Sequence, residues 1–148
     1  MNLGVILILF ILLVILIPIF CPFENNLIAN QARSIGFNVN NEIGSYDLAA
    51  RSLGGDFEPP APILHTIPSR KSYNFQVLAD GNTPTSAFVN YNIDFRGQIA
   101  GTVTIMMTVI YVSYWGIRIP VGKAFTSINS DFVTATVNGT DILIHRIL

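Results

Sequence analysis

Residues 97–117 read GQIAGTVTIMMTVIYVSYWGI, with Arg96 before them, Arg118 after them and no charged side chain between. Two structures compete for this stretch. An uncharged run of that length, with Tyr111, Tyr114 and Trp115 near one end, matches a membrane span with an interfacial aromatic belt. Gly97 and Gly101 add a GxxxG pair. Against the span, Thr102, Thr104 and Thr108 alternate with Val103, Ile105 and Val109. β-Branched residues at period two are what a pleated sheet packs. A span would also put the alternating segments on its two flanks on opposite sides of a membrane, each too small to bury a core. The period decides for one long bent strand, or two consecutive ones.

The flanks agree. Upstream, Tyr73, Phe75 and Val77 alternate with Asn74 and Gln76, and Asp80-Gly81-Asn82 turns the chain. Ala87, Val89, Tyr91, Ile93 and Phe95 then form one face, with Asn90, Asn92 and Asp94 on the other. Downstream, Val133, Ala135 and Val137 lead into Asn138-Gly139, a hairpin signal because both central residues of a type I′ turn need positive φ. Residues 70–148 are therefore expected to form a small antiparallel β-sandwich or jelly-roll-like domain of about six to eight strands.

The N-terminus has another character. Residues 1–23 carry no charged side chain, and Leu3–Phe20 is apolar apart from Gly4 and Pro18. At 1.5 Å per residue, about 20 such residues cross a ~30 Å hydrocarbon core. A single transmembrane helix is expected there, making the chain a single-pass membrane protein with the lipid bilayer as a partner. A cleaved signal would need a basic start and a small-residue cleavage site, and Phe20-Cys21-Pro22 is a poor one. Arg33 alone flanks the run, so the charge rule leans the β domain to the cytoplasmic side. Cys21 falls at the expected interface, where it is either a palmitoylation site or a small apolar residue.

Residues 24–58 form a polar connecting region. Leu27, Ile28, Ala32 and Ile35 fit a short helix over Glu24–Ile35. A second helix, capped by Asn40-Asn41, would carry Ile43, Leu48, Ala49 and Leu53 and stop at Gly54-Gly55. Residues 59–69 are a proline-rich strap, with Pro59, Pro60, Pro62 and Pro68 imposing extended backbone. His65 within it has no neighbouring His or Cys and reads as a surface or packed side chain.

Chemistry does not assemble. One Cys and two His supply no structural zinc site or disulfide framework. No Walker loop, GxGxxG, G-x-S-x-G, CxxC or H-E-x-x-H occurs. Glu24, Glu42, Asp47, Asp56 and Glu58 lack the spacing of a calcium loop and read as solvated charge. Six bases (Arg70, Lys71, Arg96, Arg118, Lys123, Arg146) against four acids (Asp80, Asp94, Asp131, Asp141) are too few and too dispersed for a nucleic-acid track. The expectation is a non-enzymatic chain with no catalytic, cofactor or metal residues. Asn138-Gly139-Thr140 is also a glycosylation sequon, although the hairpin turn explains its residues.

Charged residues make up only 11% of the chain, against about 25% in ordinary domains, so the β domain is expected to have neighbours. An apolar anchor at Leu3–Phe20 followed by alternating segments at Tyr73–Val77, Ala87–Phe95 and Val133–Ile147 resembles the membrane-anchored minor capsid proteins of lipid-containing icosahedral viruses. That resemblance implies a structural or assembly protein in a virion's internal membrane. Its β domain would face the capsid, and coat proteins would be its partners in a hetero-oligomer. The same plan also suits a tethered binding module, such as a pilin-like, secretion-apparatus or accessory membrane-complex subunit.

Overall fold

The computed structural model describes residues 2–20, 34–81 and 83–148, with the side chains of the first range described only as far as Leu12. The chain divides into two compact units, residues 1–30 and 31–148.

In the first unit, α1 (Leu3–Phe20) covers the apolar run. Its side chains from Leu3 to Leu12 are exposed. Over the described side chains, Leu3 to Leu12, no helix is long and apolar enough to cross a membrane. Cys21, and most of the helix expected over Glu24–Ile35, lie outside the described residues.

The second unit is mainly β, with nine strands in two sheets among its described residues. They are β1 (Ser34–Glu42), β2 (Asp47–Gly55), β3 (Thr66–Ile67), β4 (Ser72–Leu78), β5 (Thr85–Phe95), β6 (Gln98–Tyr114), β7 (Ile117–Asn129), β8 (Val133–Asn138) and β9 (Asp141–Arg146). One sheet has the order β4-β1-β9-β8, the other β3-β2-β5-β6-β7. Inward residues alternate along the strands: Phe37 and Val39, Phe75 and Val77, Ile142 and Ile144 from the first sheet. Val89, Tyr91 and Ile93, and Val103, Ile105, Met107 and Val109, come from the second. They form one core cluster between the two sheets. Residues 98–114 are thus one strand, β6, as the Thr/Val alternation indicates, with β7 starting at Ile117.

The boundary expected at residue 70 is corrected. Residues 34–55 are β1 and β2, not connecting helices, and they belong to the core. Asn40-Asn41 and Gly54-Gly55 lie at strand ends rather than at helix caps. The purely antiparallel expectation is corrected as well, because β1 pairs parallel with β9. A parallel neighbour needs a long crossover, and here all the intervening strands supply it. β5, β6 and β7 remain in one sheet as a meander, so the sandwich alternative describes the unit better than the jelly-roll-like one.

Two tight turns make that meander. Arg96-Gly97 joins β5 to β6 and Trp115-Gly116 joins β6 to β7, with φ of +51° and +84° in the first and +51° and +77° in the second. Positive φ at both central residues is the type I′ pattern that matches strand twist. The β8–β9 hairpin is present, but its turn residues are Gly139 and Thr140, because Asn138 pairs with Asp141. The positive φ (+61°) falls on Gly139, the first central position, as in a type II′ turn.

The proline strap ends in β3, which adds to the sheet edge beside Leu48 and Ala49. Edge placement is where a proline-flanked strand is tolerated. Pro120 meets the same condition on β7, the opposite edge.

Candidate interaction surface

Among the described residues no group of three or more His, Cys, Asp or Glu side chains could hold a metal ion. The acids are occupied otherwise. Asp47 Oδ1 accepts from Ser69 N (3.0 Å), Asp56 Oδ2 from Ser86 N (3.0 Å) and Asp94 Oδ1 from Gly97 N (2.9 Å). Glu58 Oε2 accepts from Ser34 Oγ at 2.6 Å. Asp47, Asp56 and Glu58, read from sequence as solvated charge, therefore tie loops and strand ends together.

His65 is a packed side chain that locks the strap down. Its ring stacks on Tyr73 with centroids 3.7 Å apart and planes 11° apart. Nδ1 lies 2.8 Å from the Ile63 carbonyl, and Nε2 lies 2.8 Å from the Tyr91 hydroxyl. A carbonyl only accepts, so a neutral ring places its proton on Nδ1 and takes the Tyr91 O–H at Nε2. Burial, and secondarily the nearby Tyr73, push the Tyr91 hydroxyl well above its ordinary value of 10.0. The folded state therefore holds this proton where the unfolded chain loses it, and stability falls as pH rises beyond about 10. Tyr91→Phe is expected to cost about 1 kcal/mol at neutral pH through the lost hydrogen bond, and to reduce the alkaline loss. Urea midpoints at neutral pH and near pH 11 check both parts.

The outer face of the five-stranded sheet is built in cross-strand rows. Ser52, Asn90 and Thr104 form a polar row joined by hydrogen bonds of 2.8 and 2.7 Å, and Ser127 continues it. The next row is apolar: Phe88, Met106 and Phe125 are paired across β5, β6 and β7, and Met106 and Phe125 are 50% and 57% exposed. Ser86, Thr108 and Lys123 make a second polar row.

Beyond it β5 has ended, and β6 and β7 continue as a two-stranded ribbon. Three further rows follow on that face, Ile110–Val121, Val112–Ile119 and Tyr114–Ile117, and every member is apolar or aromatic. Five residues of β6 past Val109 give the ribbon a reach of about 17 Å. Its base is tied down by Gly81 N donating to the Tyr111 hydroxyl at 2.7 Å. On the opposite face the Arg118 guanidinium lies 5.3 Å from the Tyr111 ring centroid. At the apex Trp115 is 88% exposed and meets the Tyr114 ring edge-on.

Trp115 is an unfavourable residue for its own turn. A bulky side chain at φ +51° costs about 1–2 kcal/mol, and asparagine or glycine fills this position more easily. The apex is thus shaped for something other than hairpin stability. The two-residue spacing of Trp115-Gly116 between Tyr114 and Ile117 is the sequence signal for this turn. It is hidden because Trp-Gly lacks the usual Asn or Asp.

No protein-family model, curated protein or solved structure matches the chain. The rows of side chains on the β unit thus carry the functional reading.

Proposed function

We propose that the chain is a non-enzymatic, membrane-anchored structural or assembly protein that links a membrane to a protein shell or large complex. Residues 3–20 supply the single-pass anchor, and the β unit docks on neighbouring subunits. The chain's plan resembles that of the minor capsid proteins of lipid-containing icosahedral viruses. The observation that carries the reading is the outer sheet face, where Phe88, Met106 and Phe125 form an exposed apolar row framed by polar rows. Exposed apolar patches rimmed by polar residues characterise interaction sites.

The apolar run at Leu3–Phe20 supports the anchor by its length and lack of charge. The non-enzymatic part rests on what the polar groups do: Asp47, Asp56, Asp94 and His65 are all engaged in hydrogen bonds that hold loops and turns. Sedimentation of the chain, gently extracted from its native membrane, tests the reading. It should travel with other protein subunits in a particle much larger than its own 16.2 kDa. A chain that sediments alone contradicts the assembly role.

A further inference from the structure

We propose that the β6–β7 hairpin is a second membrane contact: its tip inserts into the interfacial layer of an anionic bilayer, with Trp115 at the deepest point. This goes beyond the anchor reading and does not depend on it, because it concerns only the β unit.

Four observations converge. First, Tyr114, Trp115 and Ile117 occupy the apex with 64%, 88% and 66% of their surfaces exposed. Trp and Tyr favour the headgroup level, where an apolar ring body and a polar N–H or O–H are both satisfied. Second, the apex accepts backbone strain at Trp115 for a side chain that packs only edge-on against Tyr114. Third, the charge is one-sided: the chain has no acid between Asp94 and Asp131, and Arg118 and Lys123 are the bases on the hairpin. Lys123 is exposed and complements anionic headgroups, a base near the surface contributing about fivefold in partitioning.

Fourth, the order of the rows sets the depth. Apolar rows run from Tyr114–Ile117 to Ile110–Val121, and Lys123 follows on the same face. Lys123 thus stands about 20 Å back from the tip at ~3.3 Å per residue, and with the tip inserted its side chain lies within about a Debye length of the headgroups. The Arg118 guanidinium is already engaged over the Tyr111 ring, so Lys123 carries the attraction to the headgroups. The insertion is shallow. A two-stranded ribbon keeps backbone polar groups along its outer edges, and these cannot be left in hydrocarbon.

Trp115 is the only tryptophan in the chain, so its fluorescence in the full-length protein reports this tip alone. The full chain is mixed with phosphatidylcholine vesicles with and without phosphatidylglycerol, and with versions carrying brominated acyl chains. The expected result is a blue shift and strong bromine quenching that depend on the anionic lipid, with Lys123→Gln lowering the inserted population about fivefold. An emission that keeps its water-exposed position and stays open to iodide while the chain is vesicle-bound overturns the proposal. A blue shift without lipid that grows with protein concentration also overturns it, and assigns the tip to self-association. Alkaline extraction of the same vesicles reads the α1 anchor separately. An anchored chain with a water-exposed Trp115 therefore defeats only the hairpin, and an extractable chain with a lipid-buried Trp115 defeats only the anchor.

Discussion

Replacing Asn41 with alanine lowers the unfolding free energy by about 4 kcal/mol, because it strands two buried backbone groups and one part-buried one at once. Asn41 is fully buried. Its Nδ2 donates to the Tyr46 and Ile67 carbonyls, both at 2.9 Å, and its Oδ1 accepts from Ile43 N at 3.2 Å. Its backbone is also committed, to Lys71 O and Arg70 N. One side chain thus joins the end of β1, the turn into β2 and the strap at β3. Each unsatisfied buried group costs about 1–3 kcal/mol, and the vacated volume adds to the loss. Asn41→Asp does not rescue it, since a carboxylate keeps the acceptor, loses both donors and buries a charge. Asn38 supplies the control. It lies on the same strand, but its exposed amide bonds Asp141 and Asn74 at the surface, so Asn38→Ala is expected to cost less than about 1 kcal/mol. Urea denaturation of the three variants measures the contrast.

Gly55→Ala is expected to be comparably severe, at about 3–5 kcal/mol. Gly55 has φ +109°, and a Cβ there would lie 2.4 Å from Ser86 O and 2.5 Å from Ala87 Cα. Both obstacles are backbone, so β2 and β5 would have to separate where they pair. The hydrogen bond from Asp56 N to Ser86 O, 2.8 Å long, would be lost with that movement. Gly97→Ala separates strain from collision: φ is +84°, but nothing lies within 4 Å of the added carbon. Only the left-handed backbone cost of about 1–2 kcal/mol applies there. Thermal unfolding should therefore show a much larger drop for Gly55→Ala than for Gly97→Ala.

These two positions also show where the sequence stops being legible. The long strand through residues 102–109 is readable because its alternation is uninterrupted and its inward residues are all apolar. β1 is not, because the inward position after Phe37 and Val39 is Asn41, and a polar residue breaks the pattern. β2 is obscured differently. A bulge between Ala50 and Ser52 shifts its phase, so Leu48 and Leu53 both meet the core although an odd five-residue spacing breaks the period of two. Asp47, Asp56 and Glu58 gave no hint that they would pin loops, since their partners Ser69 N, Ser86 N and Ser34 Oγ are distant in sequence. His65 was legible as a surface or packed residue, but its link to Tyr91 depends on the strap folding back along the sheet edge. The ribbon tip was hidden by Trp-Gly in place of Asn-Gly. The charge deficit remains the most useful compositional clue, and the outer face gives it a location: apolar rows stand where an ordinary sheet carries Lys and Glu.

The central claim, that residues 3–20 hold this chain in a membrane while residues 31–148 form a self-contained β unit, is most directly tested by alkaline extraction of membranes containing the full chain. The comparison is with Leu9→Arg/Leu12→Arg, whose two charges near the helix centre cost about 5–7 kcal/mol of insertion. The unaltered chain should remain in the pellet, and the variant should move to the supernatant with the same far-UV β signature. A chain that is extracted whether or not it carries the two arginines contradicts the account.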